Sequence, residues 1–362
     1  MFIYDYLIII LLLLYCLEII SGKYKRNLNK RLYLTACYVM ALFVLFADYT
    51  KAYDMSDYLM TYHNNPSSMY GTPDDPNPPS EPGFGWLCKL LWLFPIYDIM
   101  LIFACKIISF LPILYGIYNH SSFKIGSLIF LITLPGVWLV QIITQRQALS
   151  FSFILMALFV LVNRKKHKWW PIWFIILCSL SITFHSTPLL VIPIILVLYY
   201  VPINKKTMYV LLIMSCVLSR IFYNYFSQYF LLFFAASEGF ERMTRYIEDQ
   251  DAHGVGSVDM LYNIFYTLFA LFLVYYNDSK NKMHEICLKS MVLGWSIFLL
   301  IKPLPNSDRA TSFLFCLGAI GALPKHTKRC MLILLFFLLV LSLQKHMSFS
   351  KQDYWPQGLI WW

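Results

Sequence analysis

Apolar stretches long enough to cross a bilayer, which takes about 20 helical residues, alternate with short polar breaks along this chain. The pattern predicts helices over 2–20, 32–47, 98–118, 126–143, 147–162, 170–184, 188–201, 208–226, 258–276, 289–303, 310–323 and 330–345. One apolar piece, "FGWLCKLLWLFP" at 84–95, is too short to span. It reads as an amphipathic or re-entrant segment at the outer interface, with Trp86 and Trp92 at headgroup depth. Two polar segments are longer than the rest, about 48–97 around that piece and about 227–257. No repeat, linker or soluble block interrupts the series. The expectation is an all-α polytopic membrane protein of about twelve transmembrane helices, one integral domain over 1–362 with both outer segments embedded in it.

Composition agrees with the pattern. Hydrophobic residues make up 59% of the chain and charged ones 13%, where soluble domains run near a quarter charged; mean hydropathy is +0.61. The first apolar stretch lacks a small-residue cleavage site and reads as a retained helix. The nine cysteines lie mostly inside apolar stretches, without a CxxC pair, and read as packing residues.

The net charge of +10 changes the picture only through its placement. Lys23, Lys25, Arg26, Lys30, Arg31, Lys124, Arg164, Lys165, Lys166, Lys168, Lys205, Lys206, Lys280, Lys282, Lys289, Lys325, Lys328 and Arg329 all fall on alternate breaks. The acids, except Glu18, Asp278 and Glu285, gather on the other side. By the positive-inside rule the basic breaks are cytoplasmic and both termini lie outside. The basic excess is thus a topology signal, and nucleic acid is not an expected partner.

This topology places three features at the outer ends of helices that run inward. Arg146 and Gln147 open the helix of "TQRQALSFSF", Arg309 opens that of "PNSDRATSF", and His185 precedes Ser186-Thr187-Pro188 in "FHSTPLL". Ser or Thr before Pro is an N-cap signature. Helix N-termini and guanidinium groups both favour anions, and arginine grips phosphate oxygens with two parallel hydrogen bonds. A phosphate or diphosphate site at the outer boundary follows. The competing readings are arginines that snorkel to headgroups and a structural histidine. Arg242 and Arg245 stand among Glu238, Glu241, Glu248, Asp249 and Asp251, where surface ion pairs are the simple reading. Asp48, Asp54, Asp57, Tyr58 and Glu81 belong to an acid- and tyrosine-rich segment suited to solvation, or to sugar hydroxyls and ring stacking. Lys106 falls inside an apolar span and calls for an anionic partner. The sequence has no HExxH, no Cys/His cluster and no Gly-rich phosphate loop. No metal or other cofactor is expected, and a donor at the outer face must arrive already activated, as a lipid diphosphate does.

The order of "DMSDYLMTY", "EPGF", "RQALSFSFILMAL", "NRKKHKWW", "ITFHSTPLL", "TRY" and "DRATSF" resembles the EpsG family of bacterial exopolysaccharide proteins, relatives of the Wzy-type O-antigen and capsule polymerases. The likeness spans about residues 1–345 and is sharpest at Glu81-Pro82-Gly83-Phe84, Arg146-Gln147 and Phe184-His185. The family commonly carries an arginine ahead of the Asp–Tyr stretch, where this chain has Lys51.

The resemblance implies a polymerase of undecaprenyl diphosphate-linked repeat units at the outer face of the bacterial cytoplasmic (inner) membrane, making O-antigen, capsule or exopolysaccharide. Its partners would be undecaprenyl diphosphate-linked glycans and membrane lipid, with chain length open to control by a separate regulator. On this reading Arg146, Gln147 and Arg309 hold the diphosphate, and His185 acts as base or third phosphate contact with Asp57 as the reserve base. Arg245 with Tyr246 closes over the substrate, Arg242 is a further substrate contact, and Asp57, Tyr58 and Glu81 hold sugar hydroxyls. The rival readings are a lipid-linked oligosaccharide flippase and a membrane O-acyltransferase of the same pathway. A flippase should line a central path with charge at mid-depth, whereas these charges gather at one face.

Overall fold

The computed structural model describes residues 3–21, 26–45, 82–92, 98–134, 137, 144–166, 168–234, 257–277, 281–301, 307–323 and 328–349. Among them are thirteen α-helices and no strand. They are α1 (Ile3–Ser21), α2 (Arg26–Leu45), α3 (Pro82–Trp92), α4 (Asp98–His120), α5 (Lys124–Thr133), α6 (Gln145–Val162), α7 (Trp170–Phe184), α8 (Pro188–Tyr200), α9 (Lys205–Phe234), α10 (Ser257–Tyr276), α11 (Lys282–Ile301), α12 (Ser307–Gly321) and α13 (Lys328–Phe349). A 3₁₀ turn, Arg164–Lys166, follows α6.

Each of the twelve expected helical stretches contains a helix, and the interfacial piece forms α3. Among the described residues, the spans Asn27–Leu45, Leu101–His120, Gln145–Val162 and Lys282–Ile301 are long and apolar enough to cross a membrane, and six other apolar stretches are shorter. The all-helical membrane class therefore holds, while helix length does not establish twelve crossings.

Two boundaries differ from the sequence pattern for identifiable reasons. The helix expected over 126–143 is interrupted after Thr133, because Leu134 is extended (φ −66°, ψ 143°); Val137 is helical, and 135–136 and 138–143 lie outside the described residues. Leu134 precedes Pro135, and the proline ring disfavours the helical region for the residue before it. In the other direction, α9 continues to Phe234, since "SQYFLLFF" at 227–234 holds no glycine or proline to end it. Residues 227–234, expected to open the second outer segment, are helical; 235–256 lie outside the described residues.

The short helix α5 forms the centre. It is apolar all round, and Ile125 through Thr133 are all buried, as expected of such a helix. α1, α2, α4, α12 and α13 pack around it. Phe123 at its N-cap position supplies no side-chain cap, and Glu18 of α1 accepts the Ile125 N–H at 3.4 Å instead. Farther along, Trp295 of α11 stacks on Tyr266 of α10 (4.6 Å between centroids) and donates to Thr267 Oγ1 at 3.0 Å.

The outer surface reverses the soluble pattern. α7 exposes Ile172, Trp173, Ile175 and Ile176, and α8 exposes Leu189, Leu190 and Val197. Contiguous apolar faces of this kind are covered by lipid in a membrane protein. The nine cysteines form no disulfide and are at least partly buried. At the far end of α8, buried Lys289 of α11 donates to Val201 O at 2.8 Å and Leu198 O at 3.3 Å and pairs with Glu285. A charged side chain thus closes the C-terminal carbonyls of α8 and ties that helix to α11.

Candidate functional site

The site is set by how α6 meets its neighbours. α6 and α7 pack antiparallel across the short connection 163–169. Ser181 Oγ donates to Ser150 O at 2.7 Å, and the two hydroxyls lie 3.1 Å apart, both serines being fully buried. Small hydroxyl residues let apolar helices approach closely and bond across the gap. Phe153 stacks on Phe184 beside them, at 5.3 Å. Arg146 lies one turn before Ser150, and His185 one turn after Ser181. Because the helices are antiparallel, both steps lead to the same end of the bundle, about 6 Å beyond the serine contact.

α12 joins them. Phe313 meets Phe151 edge to face at 4.3 Å. Gly116 of α4 lies against both Phe159 of α6 and Ile320 of α12, where an added Cβ would fall 2.8 Å and 3.0 Å from their side chains. Pairing at 151/313 and again near 159/320 means that α6 and α12 run the same way at matched depth. Arg309, the third residue of α12, therefore starts its helix at the level where Arg146 starts α6; its side chain lies outside the described residues.

Arg146 is exposed, and Gln145 and Gln147 on either side are buried. The Thr144 side chain makes no cap, so the first-turn N–H groups of α6 are directed at this same end. His185 closes α7 in an extended conformation, its N–H donating to Ser181 O at 3.3 Å. Its Nδ1 accepts the Thr187 N–H at 3.1 Å and lies 2.7 Å from Thr187 Oγ1. A ring nitrogen that accepts a backbone amide carries no proton, so the neutral imidazole carries its proton on Nε2. This also corrects the capping expectation. Thr187 occupies the N-cap position of α8, but its hydroxyl faces His185 and not the α8 amides.

α3 completes this end. Gly83 is buried against α7, and a Cβ there would fall 2.6 Å from Thr183 Oγ1 and 2.9 Å from Thr183 C and O. The absence of a side chain at Gly83 lets α3 touch the α7 backbone two residues before His185. Phe84 and Cys88 face inward while Trp86, Lys89 and Leu90 face out, the amphipathic arrangement expected. The motif "EPGF" and the stretch "ITFHSTPLL", far apart in sequence, are thereby in contact through Gly83 and Thr183. Glu81 directly precedes α3 in sequence.

Of the sequence candidates, the structure brings together Arg146, Gln147, His185 and the helix start bearing Arg309. Asp57, Tyr58, Glu81, Arg242, Arg245 and Tyr246 lie outside the described residues. Lys106 is buried in α4 and borders a groove of about 430 Å³ lined with Met40, Val44, Phe110 and Leu114. Of the residues that fix the geometry, Gly83 belongs to the motif "EPGF", while Ser150, Ser181 and Thr183 were not singled out. Their signal is modest: small and hydroxyl residues spaced along otherwise apolar helices.

A search of curated proteins and of solved structures found no match. The model of the EpsG family matches residues 30–356, a span that takes in α6, α7 and α12 and all the motifs quoted above. The chain belongs to the EpsG family of Wzy-type polysaccharide polymerase-like proteins and is a membrane protein of polysaccharide biosynthesis.

Proposed function

We propose that this protein polymerises undecaprenyl diphosphate-linked repeat units into O-antigen, capsule or exopolysaccharide at the outer face of the bacterial cytoplasmic membrane. The observation that carries the reading is the convergence of Arg146, His185 and the Arg309-bearing start of α12 at one end of the bundle. A hydroxyl of the incoming sugar attacks the anomeric carbon of the growing chain. The bond from that carbon to the lipid diphosphate breaks, and the diphosphate leaves with the electron pair. Arg146, Arg309 and the helix N-termini stabilise its growing charge. With Nδ1 already accepting from Thr187, His185 serves this charge as a donor through Nε2–H. Removal of the hydroxyl proton then falls to Asp57, with Tyr58 and Glu81 on sugar hydroxyls, Arg245 and Tyr246 closing over the substrate and Arg242 as a further substrate contact.

The test is made in the host. The gene is deleted, then restored as wild type or as Arg146→Ala at equal membrane abundance, and surface polysaccharide is run on a gel. Single-repeat material from both the deletion and the variant supports the polymerase and the role of Arg146. Loss of single repeats as well would transfer the reading to a flippase, and long chains with altered decoration to an acyltransferase. An active Arg146→Ala variant would remove Arg146 from the site.

A further inference from the structure

The end of the bundle opposite Arg146 carries a second cluster, formed where four elements meet. Arg164, in the 3₁₀ turn after α6, stands over the rings of Tyr199 and Tyr200 at 5.3 and 5.8 Å and donates to Tyr200 Oη at 3.2 Å. Lys282, the first residue of α11, approaches the same Tyr199 ring at 5.4 Å. Lys205 opens α9 and donates to Tyr275 O at 3.4 Å. Lys165 and Lys166 are exposed beside Arg164.

Two features make this end unusually positive. Lys205 and Lys282 stand at helix N-termini, the positive end of the helix dipole, where carboxylates are favoured and cations are not. The caps there are neutral, Asn204 Oδ1 accepting the Thr207 N–H and Asn281 Oδ1 the Met283 N–H. Among the described residues, Arg164 forms no ion pair, and the acid of the cluster, Glu285, is shared between Lys282 and Lys289, which hold its two oxygens. Tyr200 is 56% exposed and accepts from Arg164, which leaves its own O–H to donate. Next to it Val197 and Val201 present exposed apolar surface, so the charge lies at the edge of the lipid-facing belt and not on a wholly polar face.

We propose that Arg164, Lys282 and Tyr200 form a binding site for the headgroup phosphate of an acidic phospholipid, whose acyl chains lie along the exposed face of α8. Arg164 offers a guanidinium fork braced by Tyr199 and Tyr200, Tyr200 a hydroxyl donor, and Lys282 a second charge across the ring. The site is separate from the proposed glycan chemistry and does not depend on it. It would tie the cytoplasmic ends of α6, α8 and α11 to lipid.

The test uses the full-length protein purified in detergent. Retention of phosphatidylglycerol and phosphatidylcholine, added in equal amounts, is read by native mass spectrometry, and thermal stability is read in parallel. Wild type should retain phosphatidylglycerol preferentially and be stabilised by it. Arg164→Gln should lower that preference about fivefold, and Tyr200→Phe should lower it by less. Lys30→Gln, the same loss of charge on α2 outside the cluster, should leave it unchanged. Equal loss in Arg164→Gln and Lys30→Gln would overturn the site in favour of unspecific charge attraction. Equal stabilisation by inorganic phosphate would assign it to a free anion. Stabilisation by soluble polyglutamate in place of lipid would assign it to an acidic protein segment. If Arg164→Gln does not fold, Tyr200→Phe alone decides, and an unchanged lipid preference in it would refute the proposal.

Discussion

Gly83 offers the most direct check on how the site end is assembled. In Gly83→Ala the new methyl would lie 2.6 Å from Thr183 Oγ1 and 2.9 Å from the Thr183 carbonyl carbon and oxygen. Ordinary carbon contacts begin near 3.5 Å. The hydroxyl can rotate away, but the carbonyl belongs to the α7 backbone and cannot, so α3 must lift. Overpacking of this kind costs about 1–3 kcal/mol, against a gain of about 0.5–1 kcal/mol from replacing helical glycine by alanine. The steric term wins, for a net loss of about 0.5–2 kcal/mol confined to the docking of α3. The readout is Cys88, fully buried on the inner face of α3. Its alkylation by a maleimide should rise roughly 2- to 30-fold, since about 1.4 kcal/mol is a tenfold change in an opening equilibrium. Cys287, fully buried in α11, should stay unreactive and serves as the internal control. Polymer length on the gel should fall in the same variant. Unchanged Cys88 alkylation with full-length polymer would refute the reasoning that contact at Gly83 positions α3.

Further outcomes follow from the same geometry. His185→Gln should keep part of the polymerising activity and His185→Asn should not, because a glutamine amide can replace an Nε2–H donor and cannot replace a base; equal loss in both would favour the base role. Ser181→Ala removes the hydroxyl that bonds Ser150 O and should cost about 0.6–1.7 kcal/mol, seen as a lower unfolding temperature in detergent. Lys289→Met strips the α8 carbonyls of their donor and Glu285 of one partner, at a cost of about 1–3 kcal/mol; stability equal to wild type would count against the clamp. Polymerisation in isolated membranes should survive EDTA, and a strict Mg²⁺ requirement would sink the metal-free reading.

Much of the architecture was legible in the order of residues, because a bilayer imposes a simple rule. Helices that cross lipid must be apolar along about 20 residues, and their connections must be polar and sorted by charge. The helices and the placement of Arg146 at an N-terminus follow from that. The misplaced ends came from local chemistry that apolar run length ignores. Pro135 ended α5 early, and the lack of a breaker carried α9 through Phe234. The Thr187 cap failed because Thr187 is itself helical (φ −48°, ψ −37°), whereas a capping side chain reaches the first-turn amides from an extended residue, and its hydroxyl lies against His185 Nδ1 instead.

What the sequence determined by itself was a helical membrane protein with cationic residues at helix starts, since burial in lipid, charge sorting and capping are one-dimensional signals. Which of those starts share a site was decided only by tertiary contacts. Ser150 with Ser181, Phe151 with Phe313 and Gly83 with Thr183 match positions across helices that apolarity alone leaves free to slide past one another. Hydropathy gives each helix a length but no register, and close packing and buried hydrogen bonds supply the register that brings Arg146 and His185 to one end.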